Sequence, residues 1–543
     1  MSGQRWRVTG GSSSAGIVVR EGKKLGSKQL DERLATGSLV EEQELDGERL
    51  SYRKLEGNGP QAGWVSTKLK GQDLLVREGS PPAPAGTLRA AIEAGDEQAV
   101  LAFLARPDAV KEANALGPNK QSTLHEAARR GLAEACRALL GVPKYARIRE
   151  PDAQDEGGNT ALHAAADAGH AVACSVLLEH PRFGAADAQN KGGRGFTALH
   201  CAAWKGHTEV CRALLDSPRF GAADATEENG NTALTLTAWQ GHAEACKVLL
   251  DSPRFKAVNA VENTSSNTAL ICAALADHPE VAQVLVDHPR FTEVNRVNCN
   301  GCHALGSAAW GRSPRVCRVV LECPRFTAVN GQTNVGWIAL HEAVRQNDLE
   351  SLKVILDHPR FKAADVPNFE GNTALHDAAV CGHAECCRFL LEHQRFGAVD
   401  AVNNQGCTAL MLGAVCGHAA VCGVLLDSPR FTAADLQTAD YGNTALHLAA
   451  WQGHAEACRA LLDHPRFGAA AAQGRRGDTA LHMAAKEGHA APCRVLLEHS
   501  RFSVADARNK DGKTAFEVAK LGTEAWQVLE DFVAGSDSDP QPD

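Results

Sequence analysis

The chain has 543 residues, 44% of them apolar, and a formal net charge of −9. Residues 1–79 contain 13 of the 56 basic residues and 11 of the 65 acidic residues. The rest of the chain therefore carries an excess of 11 acidic residues, which disfavours nucleic-acid binding through phosphate neutralisation. No run approaches the roughly 20 apolar residues of a membrane-spanning helix, and no secretory signal opens the sequence. We therefore expect a cytoplasmic protein without membrane insertion, in which the 18 cysteines are reduced thiols.

Residues 1–79 have the pattern of a small β structure. Asp46-Gly47 is a strong hairpin signal, and five short strands predict a small barrel. The segments GIVVREG, which starts at Gly16, and GWVS, which starts at Gly63, resemble the bacterial-type Src-homology-3 barrel, a fold that binds peptides or glycans. We expect Trp64 in its core. The five apolar runs cover residues 17–19, 38–40, 50–52, 63–65 and 74–76.

Two low-complexity segments delimit the rest of the chain. Residues 80–86, with the sequence SPPAPAG, predict a semi-rigid linker. Residues 534–543 are acidic and predict a disordered tail. We expect residues 87–533, between them, to form one continuous repeat region.

The repeat region is marked by a tetrapeptide, Thr-Ala-Leu-His or a close variant. A recurrence every 35 to 37 residues indicates stacked structural units rather than a globular fold with a central cleft. With atypical units at both ends, about 13 can be aligned. The first position of the tetrapeptide is held by Thr160, Thr197, Thr232, Thr268, His303, Ile338, Thr373, Thr408, Thr444, Thr479 and Thr514.

Residues 160–196 illustrate one unit. Thr160 is predicted to cap a first helix with a face of small alanines, and Gly169 to end it. A second helix follows with Cys174 on its buried face, and Pro181 stops it before a polar turn. The order helix, turn, helix, turn, with the motif GNTALHAA and a Gly-His pair, resembles the ankyrin repeat, whose usual unit has about 33 residues. This resemblance implies a mainly α, helix-turn-helix solenoid that binds protein partners in its concave groove.

The recurring cysteines and histidines have structural explanations. Nine Cys share one position of the second helix, where we expect small buried residues too far apart for disulfides. Of the 22 His, 21 fall at three repeat positions: the tetrapeptide, the end of the first helix and the residue after the second helix. We therefore predict that they hold no metal.

The remaining histidine lies in Cys299-Asn300-Gly301-Cys302-His303, which matches the C-x-x-C-H pattern of haem attachment. Chance is the alternative explanation, because Gly301 matches the turn glycine of other units and His303 stands at the N-cap position. A zinc site would need two further ligands, which are not evident. The sequence thus predicts no cofactor.

Acidic and basic residues recur as well. In ten units, from Glu179 and Arg182 to Glu498 and Arg501, an acid precedes an Arg by three residues. We expect a solvated stripe of ion pairs, with an anion-binding strip as the alternative. The sequence has no nucleophile elbow and no phosphate-binding loop, so we predict a protein that is not an enzyme.

The best functional signal is the variable pair of residues before each Gly-His pair. In ankyrin-like proteins this pair faces the concave groove and contacts partners. Its first position, which we call the first-helix row, is rich in Trp and therefore predicts an exposed interface, although Trp could instead stiffen the stack. The row consists of Arg129, Asp167, Trp204, Trp239, Leu275, Trp310, Arg345, Val380, Val415, Trp451 and Lys486. We predict protein-binding residues Trp204, Lys205, Trp239, Gln240, Leu275, Trp310, Arg345, Val380, Val415 and Trp451.

These patterns together predict a non-catalytic interaction scaffold or adaptor. The alternative is a ligand- or cofactor-carrying protein, or an enzyme-associated subunit, acting through the N-terminal barrel or the Cys299-Cys302-His303 turn. Units within about 268–357 depart most from the repeat pattern, which is consistent either with tuned specificity or with drift.

Overall fold

The computed structural model describes residues 5–8, 17–24, 27–35, 38–46, 49–56, 58–66, 68–69, 72–73, 75–78, 87–105, 109–141, 150–192 and 194–536. The chain divides into two compact units, Met1–Ala115 with Gly141–Arg147 and Leu116–Leu140 with Ile148–Asp543. The predicted linker 80–86 lies outside the described residues, as do residues 537–543 of the predicted tail. Within the described ranges, no helix is long and apolar enough to cross a membrane.

The N-terminal region forms an antiparallel sheet. Seven strands follow the order β3-β2-β6-β5-β4-β1-β9, and β7 pairs with β8. The β4–β5 pairing runs to Asp46 opposite Arg49, which confirms the predicted hairpin, although Gly47 itself is not among the described residues. The strands are β1 (Arg5–Val8), β2 (Ile17–Arg20), β3 (Gln29–Leu34), β4 (Leu39–Asp46), β5 (Arg49–Glu56), β6 (Ala62–Ser66), β7 (Lys68–Leu69), β8 (Gln72–Asp73) and β9 (Leu75–Glu78).

This sheet differs from the sequence prediction in three respects. The predicted number of strands was too low. In β1 (RWRV) and β3 (QLDERL), charged side chains make the alternation of apolar and polar residues hard to recognise. Trp64 was expected in the core, but it is partly exposed with Lys23 Nζ 5.8 Å from its ring centroid, and Trp6 is buried in the core instead. Within the described residues, β3 and β9 are edge strands, so closure into a barrel is not confirmed.

Beyond the sheet, the structure is a series of helix pairs. Thirteen pairs, α1/α2 and then α4/α5 to α26/α27, lie in the described ranges and confirm the predicted number of units. The last helix extends to Ser536, three residues past the predicted end of the repeat region. The helices are α1 (Leu88–Glu93), α2 (Glu97–Leu104), α3 (Ala109–Ala113), α4 (Thr123–Arg129), α5 (Ala133–Leu140), α6 (Ala161–Ala168), α7 (Ala171–Glu179), α8 (Ala198–Lys205), α9 (Thr208–Asp216), α10 (Ala233–Gln240), α11 (Ala243–Asp251), α12 (Ala269–Leu275), α13 (Pro279–Asp287), α14 (Ala304–Trp310), α15 (Pro314–Glu322), α16 (Ala339–Arg345), α17 (Leu349–Asp357), α18 (Ala374–Cys381), α19 (Ala384–Glu392), α20 (Ala409–Val415), α21 (Ala419–Asp427), α22 (Ala445–Trp451), α23 (Ala455–Asp463), α24 (Ala480–Glu487), α25 (Ala490–Glu498), α26 (Ala515–Val518) and α27 (Glu524–Ser536).

Local sequence chemistry sets the ends of the first helices. The Thr197 N–H donates to His200 Nδ1 at 3.1 Å, and the His200 N–H donates to Thr197 Oγ1 at 3.4 Å. This is a capping box in which His takes the place of the usual Glu or Gln. At the other end, Gly206 adopts a φ of 74°, a left-handed conformation that glycine reaches without a steric penalty. The tetrapeptide and the glycine therefore define most first helices, whereas Asp277, Arg312 and Asn347 take the left-handed conformation after α12, α14 and α16.

The core of the repeat region runs between the helix pairs. The nine cysteines of the second helices are buried, as predicted. After most second helices, a Phe is fully buried between units, as Phe326 and Phe361 are. Each unit therefore hides its apolar face against its neighbours, which is how stacked repeats acquire a core.

Candidate protein-binding surface

The tetrapeptide histidines join each unit to the next. His163 Nε2 lies 2.9 Å from the Phe196 carbonyl oxygen, and His376 Nε2 lies 3.0 Å from that of Cys407. Burial lowers the pKa of His341 and His447 to about 4, so these imidazoles are neutral at pH 7. Their role is structural, as the sequence predicts.

A second set of histidines holds the backbone of the first-helix row. The Nε2 atom of His242 lies 3.1 Å from the Trp204 carbonyl oxygen, and that of His454 lies 3.0 Å from the Val415 carbonyl oxygen. The same contact joins His418 to Val380 at 3.0 Å. Each of these row residues therefore has its main chain fixed by the following unit before any partner arrives.

The arginines that follow the second helices bind backbone carbonyl groups rather than the acids with which the sequence pattern pairs them. Arg325 donates to the carbonyl oxygens of Val286, of Phe291 at 2.8 Å and of His288 at 3.1 Å, all in the preceding unit. These carbonyls lie at and just beyond the end of α13, where a helix leaves acceptors unsatisfied and carries negative partial charge. Equivalent bonds recur from Arg219 to Arg501, so the predicted stripe of acid–Arg pairs is wrong for these units.

Several of the acids in that predicted stripe contact histidines of the next unit. Asp357 Oδ1 lies 2.9 Å from His393 Nε2, and Asp427 Oδ1 lies 3.1 Å from His464 Nε2. These aspartates are more than half exposed, so each pair contributes little to stability. The flank of the repeats is therefore occupied by contacts between units rather than by free charges.

Side-chain exposure differs along the first-helix row. Trp310 and Trp451 are 47% and 43% exposed. Trp204 is partly buried, with its ring centroid 6.3 Å from that of Phe196, so part of the row does stiffen the stack. Partly buried predicted binding residues are Trp204, Lys205, Trp239, Leu275, Arg345, Val380 and Val415, whereas Gln240 is exposed.

The turns between units carry exposed apolar residues that sequence reasoning missed. Val335, Phe369 and Tyr441 are 51%, 64% and 62% exposed. Backbone bonds join successive turns, as from the Phe369 N–H to the Val335 carbonyl oxygen at 3.2 Å. The signal in the sequence was an aromatic residue inside a Gly- and Asn-rich turn, where polar residues are usual.

A buried acidic cluster lies beside this surface. Glu342 and Asp377, which follow the tetrapeptides of adjacent units, are 5% and 3% exposed. Within the described residues, Glu342 Oε2, Asp377 Oδ2 and Arg345 Nε have no hydrogen-bond partner. Burial raises the pKa of both carboxyl groups to about 7, although the Arg345 charge opposes this shift. Sequence reasoning missed both acids, and the available signal was an acid at a position that most units fill with Ala, Cys, Leu, Ser or Met.

The Cys299-to-His303 turn is held by its own contacts. His303 Nδ1 accepts the Gly306 N–H at 3.3 Å and caps α14, in keeping with its N-cap position. Cys302 is buried with Ser307 Oγ at 3.4 Å from its Sγ, and Cys299 is exposed. Among the residues that the structure describes, no group of three or more His, Cys, Asp or Glu is placed to hold a metal ion.

Comparison with known proteins agrees with this architecture. The profile described as "Ankyrin repeats (3 copies)" matches residues 88–187, 124–224, 183–260, 325–400 and 396–471, and that described as "Ankyrin repeat" matches residues 476–510. The chain has no significant match among curated proteins. The matched segments cover more than half of the sequence and coincide with the helix pairs. The chain therefore belongs to the ankyrin repeat family.

Proposed function

We propose that this protein is a non-catalytic scaffold or adaptor of the cytoplasm that binds protein partners along the first-helix row, on the concave face of its repeats. Its binding residues are Trp204, Lys205, Trp239, Gln240, Leu275, Trp310, Arg345, Val380, Val415 and Trp451. Eighteen cysteine thiols, most of them buried, support a reducing compartment.

One observation carries this proposal: two Trp side chains are exposed in a row whose backbone is fixed at several of its other positions. Trp310 and Trp451 keep 47% and 43% of their surface exposed. Histidine contacts from following units hold the main chain of the same row at Trp204 and Val415, which lowers the conformational entropy that the row loses on binding. Large aromatic side chains on a rigid surface are the usual anchors of protein interfaces.

The test is affinity capture with the full chain and with a Trp310→Ala, Trp451→Ala double variant. We expect the double variant to lose about tenfold or more of its captured partners, because anchor residues dominate binding energy. Val172→Ala is the matched control, because Val172 is 68% exposed but lies on a second helix, outside the row. Equal recovery by the double variant and the control would contradict the proposal.

We also propose that residues 1–79 form a Src-homology-3-like module, joined by residues 80–86 to the repeats of residues 87–533. Support comes from the antiparallel order of the sheet and from its apolar core of alternate residues. Such a module would add a second binding surface to the adaptor.

A further inference from the structure

Three units place an acid directly after the tetrapeptide, and only one of these acids is neutralised locally. The Glu126 carboxylate accepts hydrogen bonds from Arg129 Nε and Arg130 Nε, at 3.0 Å each. Glu342 and Asp377 occupy the same position and are equally buried, but each retains an oxygen without a partner in the described residues. Two buried carboxyl groups that each keep an oxygen without a donor are costly to ionise unless a cation arrives.

The difference comes from Trp337. Arg345 follows Glu342 by three residues, as Arg129 follows Glu126, so it can reach the carboxylate across one helical turn. Its guanidinium carbon instead lies 4.3 Å from the centroid of the Trp337 ring, which attracts it through a cation–π contact. Trp337 immediately precedes the N-cap of α16, and the α4/α5 unit has Gln121 there. The contact with the aromatic ring therefore leaves Arg345 Nε and Glu342 Oε2 without a hydrogen bond to each other, although the arginine charge still acts on both acids.

The surroundings of this cluster are negative and aromatic. Glu370 is exposed on the neighbouring turn and adds to the negative potential at Asp377. The negative charges come from Glu342, Asp377 and Glu370. Arg345 is the cation whose charge acts on both buried carboxyl groups. Nearby repeat positions hold Trp310 and Phe369, 47% and 64% exposed. A cation with an apolar stem complements both the negative charge and the aromatic side chains of this surface.

We propose that Glu342, Asp377 and Trp337 form an anchoring site for one Lys or Arg side chain of a protein partner. The incoming cation takes the place of Arg345 over Trp337 and faces Asp377 and Glu370. Arg345 then turns to Glu342, as Arg129 does to Glu126. This inference rests on the proposed function, and it assigns the partner a basic residue at one fixed position.

Selection from a phage-displayed library of random twelve-residue peptides tests this site, with the full chain as bait. We expect the selected peptides to share one Lys or Arg position, and to bind a Glu342→Gln, Asp377→Asn variant about tenfold or more weakly. Glu126→Gln is the matched control, because it changes an equivalent acid that is already paired, and it should bind the peptides as the unchanged protein does. Melting followed by circular dichroism establishes that each variant is folded.

A second variant keeps the test decisive if the double variant does not fold. Trp337→Gln leaves both acids in place but releases Arg345 to neutralise Glu342, so peptide binding should again fall about tenfold. Selected peptides without a shared basic position, or with undiminished affinity for the variants, would overturn the anchoring site and leave the first-helix row intact. Failure to select any peptide would count against both the row and the site.

Discussion

Glu126 and Glu342 share one repeat position and one degree of burial, yet their environments are opposite. Arginine lowers the pKa of Glu126 against the effect of burial, whereas burial raises the pKa of Glu342 to about 7. Half of the capping box is shared, since His125 Nδ1 and His341 Nδ1 each accept the N–H of the residue three positions earlier, whereas Ile338 has no side-chain oxygen to accept in return. The repeat framework thus fixes where a side chain lies, and a residue outside the motif, Gln121 or Trp337, decides its chemistry.

The largest expected effect concerns the framework that both units share. Burial lowers the pKa of His200, His303, His341 and His447 from 6.5 to about 4. Protons therefore bind the unfolded chain first, and stability is lost as the pH falls from 6.5 towards 4. The loss is on the order of 2–3 kcal/mol for each histidine.

Urea unfolding at pH 7 and pH 4.5 measures this effect. Glu342 and Asp377 act in the opposite direction, because their raised pKa favours the folded state as the pH falls from 7 towards 4.5. Two acids cannot offset the larger number of histidines, so the urea midpoint should drop. An unchanged midpoint would show that the histidines are not buried as neutral groups, and it would contradict the shared framework on which the comparison of the two units depends.

The next largest effect is expected for the bonds between units. Arg325→Ala removes three donors from the end of α13 and should cost about 2 kcal/mol of unfolding free energy. Glu322→Gln is the control, since it changes the acid that the sequence pattern pairs with Arg325 and should cost less than about 0.5 kcal/mol. If urea unfolding shows the same loss of unfolding free energy for both variants, the result would support an ion pair between Glu322 and Arg325 instead.

The last prediction is the sharpest test of the comparison, because the two changes have opposite signs. Glu342→Gln should stabilise the protein by about 1–3 kcal/mol at pH 8, where the buried carboxyl group must ionise, and the gain should shrink at pH 5. Glu126→Gln should destabilise it by about 1 kcal/mol at pH 8 by removing the partner of two arginines. Thermal melts at both pH values measure this, and a shared sign at pH 8 would refute the contrast.

The sequence predicts the repeat architecture well because its signals are local. A threonine N-cap, a histidine three residues later and a left-handed glycine specify the first helix within about ten residues. The small cysteine and the aromatic residue after the second helix also mark buried positions directly. Helix pairs and their number were therefore predictable.

Contacts between units were not predictable in the same way. Arg325 looks like the partner of Glu322, but its acceptors lie 34 to 39 residues earlier in the chain. Arg345 has an acid three residues before it, as Arg129 has, and only the position of the Trp337 ring explains why the two differ. In the N-terminal sheet, charged side chains conceal β1 and β3, and β3 lies at an edge of the sheet, where apolar alternation is not required.

The arginine bonds give the array a direction. Each guanidinium reaches back to the unit before it, so Arg360 completes the helix that ends near Leu321 and Cys323. Shortening the chain from its C-terminus therefore uncovers the end of a remaining second helix, whereas shortening it from the N-terminus leaves the first remaining arginine without its carbonyl acceptors. During synthesis on the ribosome, each unit from α4/α5 to α22/α23 must wait for the arginine of its successor to emerge before the end of its second helix is capped.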